Sequence, residues 1–182
     1  MTLRFTLLSL LVAALWPATA QAWRPEGYAA LALGFSLQSI PAEQTTDGLD
    51  DTILTNVMAA RTGVEWIPGI STGIGFWLWG DKNVNTEAES VQFDGISAGW
   101  DVTFRIPFSG GVGPYVRVGR HCWSAVTSGL LDPWSEDGCS AMRSAGFNFP
   151  VEHDLVMYAE YSTTRFQDID ADSLLAGVQA RF

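Results

Sequence analysis

The stretch Ile96-Ser97-Ala98-Gly99-Trp100-Asp101-Val102-Thr103-Phe104-Arg105-Ile106 decides the fold. Ile96, Ala98, Trp100, Val102, Phe104 and Ile106 share one parity and are apolar, while Ser97, Gly99, Asp101, Thr103 and Arg105 share the other and carry charges of both signs. A period of two belongs to a β-strand, whose successive side chains point to opposite faces. Working outward, Met157 to Thr163 repeats the pattern, with Met157, Ala159, Tyr161 and Thr163 opposed to Tyr158, Glu160 and Ser162. So does the end of the chain, where Leu174, Ala176, Val178, Ala180 and Phe182 alternate with Ser173, Leu175, Gly177, Gln179 and Arg181. A half-buried sheet in water also alternates, so the pattern alone does not say which face meets which solvent.

The other terminus supplies that. Residues 1–22 hold the three parts of a secretory signal: Arg4 near the start, an apolar run from Leu7 to Leu15, and Ala20-Gln21-Ala22 at the cleavage position. The mature domain is then expected to be residues 23–182. The leader run is too short to span a bilayer, and nothing later approaches the roughly 18 uninterrupted apolar residues of a transmembrane helix. Membrane contact by the mature chain therefore has to be made by strands.

Composition agrees. Hydrophobic residues make up 47% of the sequence and charged residues only 16%, as expected of a sheet that turns an apolar face to lipid. The net charge of −10, from 20 Asp and Glu against ten Lys and Arg, argues against nucleic acid as a partner. The same parity rule places further strands at Tyr28 to Gln38, Asn56 to Trp66, Thr72 to Asp81, Tyr115 to Trp123 and Cys139 to Phe149. Together with the three above they make eight. Short connections rich in Pro, Gly or polar residues, Ile67 to Ser71, Pro107 to Gly113 and Pro150 to Asp154, alternate with long ones, Ser39 to Leu54, Lys82 to Gln92, Ser124 to Gly138 and Gln167 to Asp172. This alternation predicts an all-β chain folded as an eight-stranded antiparallel up-and-down transmembrane β-barrel.

Gly27-Tyr28, Pro114-Tyr115-Val116-Arg117-Val118-Gly119, Gly146-Phe147-Asn148-Phe149, Tyr158-Ala159-Glu160-Tyr161 and the closing Gly177-Val178-Gln179-Ala180-Arg181-Phe182 carry a resemblance. In their order and spacing they are similar to the small eight-stranded outer-membrane proteins related to the transmembrane domain of outer membrane protein A. The resemblance implies residence in the cell outer membrane, contact with lipid and lipopolysaccharide, and turns at the periplasm with loops outside the cell. It also implies that Phe182 is the signal read by the barrel assembly machinery. The family commonly has an aromatic two residues before the terminal Phe, and Ala180 stands there in this chain.

With the phase of each strand fixed, the inward set holds Arg61, Glu65, Asp101, Arg105, Arg117, Glu160 and Arg181. Buried charges are costly unless paired, so mixed signs in a lumen only wide enough for side chains are expected to form a satisfied network that plugs it. Arg181 is expected to meet Glu160 or another carboxylate across that lumen. The alternative is a small pore gated by the same residues.

Glu43, Asp47, Asp50, Asp51, Asp81, Glu87, Glu89, Asp132, Glu136, Asp137, Asp168, Asp170 and Asp172 fall in or beside the long loops. They either keep those loops solvated or recruit divalent cations or an extracellular ligand. Asp168-Ile169-Asp170-Ala171-Asp172 does not open a helix-loop-helix calcium site, which needs Gly sixth and Glu twelfth where this chain has Ser173 and Gln179. Arg120, Arg143 and Arg165 lie on the outward parity; they either reach head groups at the interface or are turned inward by a bulge.

Cys122 and Cys139 are the only cysteines, share a parity and flank one loop that contains Trp134. In an oxidising compartment they are expected to form a disulfide. No catalytic residue, metal or cofactor is expected. His121 and Ser124 have no evident carboxylate partner, His153 sits in a turn, and Glu160-Tyr161-Ser162 lacks the His that lipid A deacylase-like barrels carry there.

Overall fold

The computed structural model describes residues 24–40, 51–80, 92–106, 112–128 and 135–182. The expected signal peptide, residues 1–22, and most of the expected loop residues, Trp134 included, lie outside them. Alternating apolar and polar side chains draw the described chain into β1 (Glu26–Ile40), β2 (Asp51–Ile67), β3 (Ile70–Gly80), β4 (Gln92–Arg105), β5 (Gly113–Ser128), β6 (Ser135–Pro150), β7 (Leu155–Phe166) and β8 (Ile169–Arg181). Each pairs antiparallel with its sequence neighbour, and β8 closes on β1. The seam is completed by reciprocal bonds between Gly27 and Phe182, at 2.9 and 3.0 Å. Closure leaves no free sheet edge.

The register fixes the barrel's shape. Direct partners run from Glu26 through Glu65, Ser71, Thr103, Arg117, Ser144, Ser162 and Ser173 and return to β1 at Ser36. The start and finish differ by ten positions along β1 (36 − 26). With about 3.3 Å per residue and about 4.8 Å between strands, that stagger tilts the strands by about 40°.

Parity sorts the side chains as read from the sequence. Leu31, Leu33, Phe35, Ile74, Trp100, Phe104, Phe147, Leu174 and Val178 are exposed on the outer wall, and Arg61, Asp101, Arg117 and Glu160 are buried inside. The lumen is narrow, and glycine makes room in it. Tyr28, Tyr115 and Tyr158 each lie opposite a glycine on the next strand, Gly63, Gly146 and Gly177. A Cβ on any of the three would meet the facing tyrosine within 2.7 Å.

The connections depart from the expectation at one end. The β7–β8 connection is a two-residue turn, since Phe166 pairs directly with Ile169 and Gln167 adopts a φ of 51°. The expected long loop over Gln167 to Asp172 is therefore absent. Ile169 and Ala171 are buried and continue the inward parity, which keeps the strand going through Asp170 and Asp172. β1, β2, β5 and β6 likewise run further into the expected loops Ser39 to Leu54 and Ser124 to Gly138. The β2–β3 turn is as tight as expected, with Gly69 at φ 88°.

Candidate functional site

The lumen has two storeys. Toward the end where β1 begins and β8 finishes it is charged. Glu160 from β7 lies among Arg61 of β2 and Arg117 and Tyr115 of β5: Arg61 Nη1 donates to its carboxylate at 3.3 and 3.4 Å, and Tyr115 Oη at 2.7 Å. Arg117 Nη1 makes a direct bridge to the same carboxylate. Arg117 Nε also donates to Thr103 Oγ1 at 2.9 Å and lies 3.4 Å from Asp101 Oδ1. Arg61 Nη2 donates to Tyr158 Oη at 2.9 Å, with its guanidinium 5.2 Å from that ring's centre. Two cations thus meet two carboxylates in a space where all four side chains are almost wholly buried.

The remaining three expected lumen charges form a second group nearer the mouth. Glu65 bridges Arg105 and accepts from the Gly69 amide at 2.9 Å, and Arg181 Nη2 lies 3.9 Å from its other oxygen. Arg181 therefore turns to Glu65 rather than to Glu160. β1 alone separates β8 from β2, and both residues belong to the mouth-level layer. Arg105 and Arg181 keep partial solvent contact, at 17% and 22% of their side chains.

Above the charges, where a polar interior was expected, large aromatic rings enter the lumen beside a buried polar row of Ser36, Gln38, Thr55 and Ser173. Phe166 of β7 is fully buried, with Trp79 of β3, Phe93 of β4 and Trp123 of β5 around it at centroid distances of 4.9, 5.2 and 5.4 Å. Ile40, Ile53 and Ile169 are buried alongside one another as a second apolar group. His121 lies between the storeys, its ring 4.0 Å from that of Trp77 and its Nδ1 3.5 Å from Ser97 Oγ. The signal for this layer was present in the sequence: Trp77, Trp79, Phe93, Trp123 and Phe166 all fall on the inward parity. Strands apolar on both faces blur an alternation rule, so they stand out less than charges do.

On the outer wall, Cys122 and Cys139 lie directly opposite one another and are joined by a disulfide. The pairing of β5 and β6 runs without interruption through Arg120 and Arg143, so no bulge turns either inward, and both are exposed. Arg165 is also outward, and its Nε and Nη2 donate to the Asp170 carboxylate at 2.6 and 2.8 Å. Asp172 accepts from Tyr161 Oη at 2.8 Å. His153, in the β6–β7 turn, is 2.8 Å from Asp154 Oδ1, and that carboxylate raises its pKa above the ordinary imidazole value. Among the described residues no group of three or more His, Cys, Asp or Glu is placed to hold a metal ion.

The architecture is that of known outer-membrane barrels. The chain is similar to the solved structure of Neisserial surface protein A at 13% identity and a TM-score of 0.68, covering 86% of this chain and 97% of that one. It is also similar to Ail, the attachment invasion locus protein of Yersinia pestis, at 17% identity and a TM-score of 0.58, covering 86% and 99%. The N-terminal β-barrel domain of Pseudomonas aeruginosa OprF matches at 12% identity and a TM-score of 0.58, covering 85% and 97%. Such identities carry the fold alone. No curated protein matches the sequence. The model of the outer membrane protein beta-barrel domain matches residues 5–182; with its closed sheet, apolar outer wall and filled lumen, the chain belongs to that family and resides in the outer membrane.

Proposed function

We propose that this outer-membrane barrel is a non-conducting anchor that holds acidic surface segments at the cell surface for interaction with a partner. The observation that carries the reading is the aromatic layer of Trp79, Phe93, Trp123 and Phe166, stacked above a charge network whose members already answer one another. An ion crossing the lumen would have to break buried bridges and then pass between closely packed aromatic rings, and each step is costly. A small gated pore would need both storeys to move. The acidic sequence at the loop end suits a basic partner. Ail has been solved with the heparin analogue sucrose octasulfate, and a polyanion of that kind is a poor match for this chain's net charge of −10.

The reading includes no catalytic step. His121 faces the lumen against Trp77 while Ser124 lies on the outer wall, so the two cannot form a nucleophile and base pair. The test is single-channel recording of the refolded protein in planar bilayers. Current at the background level is expected, and unitary steps in the unmodified protein would overturn the proposal. Unchanged lipid A masses after overexpression are expected on the same reading.

A further inference from the structure

The apolar belt is not level around the barrel. On β4, outward apolar residues continue upward from Trp100 through Ala98 to Ile96, whereas Arg120 on β5 pairs directly with Trp100. Four residues at about 3.3 Å and about 40° climb about 10 Å, and stepping from β4 to β5 along the row regains about 3 Å, so Arg120 lies about 7 Å below Ile96. Arg143 on β6 pairs with Val118, whose β4 partner is Val102, and lies about 9 Å below Ile96 by the same geometry. Both guanidinium groups thus leave the barrel within the height of a belt about 25 Å tall, where an unanswered charge is costly.

Neither has a hydrogen-bond or ion-pair partner among the described residues, whereas Arg165 beside them is held bidentate by Asp170. They sit diagonally on adjacent strands, and Arg143 helps line an outer groove of about 490 Å³ with Ser140, Ala141, Thr163, Arg165 and Asp170. Two positions above Arg120, the disulfide ties β5 to β6. The spacing between the two arginines is fixed by a covalently reinforced pair of strands.

We propose that Arg120 and Arg143 form a site on the outer wall for the phosphate of an outer-leaflet glycolipid head group, drawn down to this low side of the belt. Guanidinium groups bind phosphate through paired N–H donors, and diagonal neighbours at about 7–8 Å let one phosphate bridge both. Thr163, on the outward parity of β7, adds a hydroxyl at the groove. The site is independent of whether the lumen conducts.

The test uses the folded mature protein, with native mass spectrometry of complexes formed with bisphosphorylated lipid A or with enzymatically dephosphorylated lipid A. Heat-dependent gel mobility checks that each variant is folded. The unmodified protein is expected to retain the phosphorylated lipid at least about tenfold better, R120Q/R143Q to lose that preference, and R120K/R143K to keep part of it. Equal retention of the two lipids, or an unchanged preference in R120Q/R143Q, overturns the site. A dimer mass abolished by R120Q/R143Q overturns it too, in favour of a second copy of the chain. If the double variant does not fold, R120Q and R143Q are read singly; each is expected to weaken retention several-fold, and no change in both overturns the proposal.

Discussion

Glu160→Gln separates a structural network from a gate. The glutamate is almost fully buried and accepts from two arginines and a tyrosine, with Arg61 Nη1 at 3.3 and 3.4 Å and Tyr115 Oη at 2.7 Å. Glutamine keeps the shape but removes the charge and points an NH2 at one of the three donors. Arg61 and Arg117 are then left with Asp101 as the remaining carboxylate of the layer. Breaking a buried ion pair from one side costs about 3–5 kcal/mol, so E160Q is expected to lower the unfolding free energy in lipid vesicles by that amount. The assay is urea titration followed by tryptophan fluorescence and gel mobility. Because E160Q alone leaves two buried cations facing one carboxylate, whereas R61Q/E160Q restores the balance of Arg117 with Asp101, the double variant should cost less than the two single changes summed, by at least about 1 kcal/mol. Bilayer recordings of E160Q should stay silent, since the aromatic storey is untouched. A stability within about 0.5 kcal/mol of the unmodified protein, together with new unitary currents, would refute the reasoning and make Glu160 a gate.

Phe166→Ala removes the ring on which Trp79, Phe93 and Trp123 converge and is expected to cost about 3–5 kcal/mol in the same urea assay. Its current should remain at background, because three large rings still cover the opening. Replacing both Cys122 and Cys139 by Ser, or reducing the disulfide, should lower stability by up to about 3 kcal/mol. The two treatments should give matching urea midpoints, and conductance should not change. His153 should titrate above 6.5 by NMR and move back toward that value in D154N. A raised folded-state value favours the fold below the unfolded pKa and loses that contribution as pH rises through the folded one. The imidazole is fully exposed, so the effect belongs in the titration curve rather than in the urea midpoint.

The barrel was legible because its two solvents impose one rule on every strand. Ile96 to Ile106 and Ser173 to Phe182 announce parity through charges on one face, and a closed count of eight follows from the turns between them. The seven inward charges were readable for the same reason, but their partners were not. Arg181 reaches Glu65 rather than Glu160 because the stagger of ten positions between Glu26 and Ser36 sets which layers meet, and stagger is a property of closure that no single strand carries. The turn at Gln167 was hidden by composition. Asp168, Asp170 and Asp172 look like a solvated loop, yet the inward parity of Ile169 and Ala171 extends the strand, and the carboxylates of Asp170 and Asp172 find Arg165 and Tyr161 on the outer wall. The aromatic storey escaped because tryptophan and phenylalanine on an inward parity are indistinguishable by polarity from their lipid-facing neighbours.

The two storeys solve one packing problem with opposite chemistry. A lumen of eight strands must be filled, and large side chains must enter it without splaying the sheet. Where Tyr28, Tyr115 and Tyr158 point inward, the facing strand offers Gly63, Gly146 and Gly177, and two of these tyrosines then bond Glu160 and Arg61. The charged storey is therefore held in place by contacts between tyrosine and glycine as much as by its own ion pairs. Trp123 repeats the device on Gly138 in the aromatic storey. Rigidity built this way reaches the outer wall, since the strands that carry Tyr115 and Gly146 also carry Arg120 and Arg143. A filled lumen is thus what lets a thin-walled cylinder present a fixed pair of arginines to lipid.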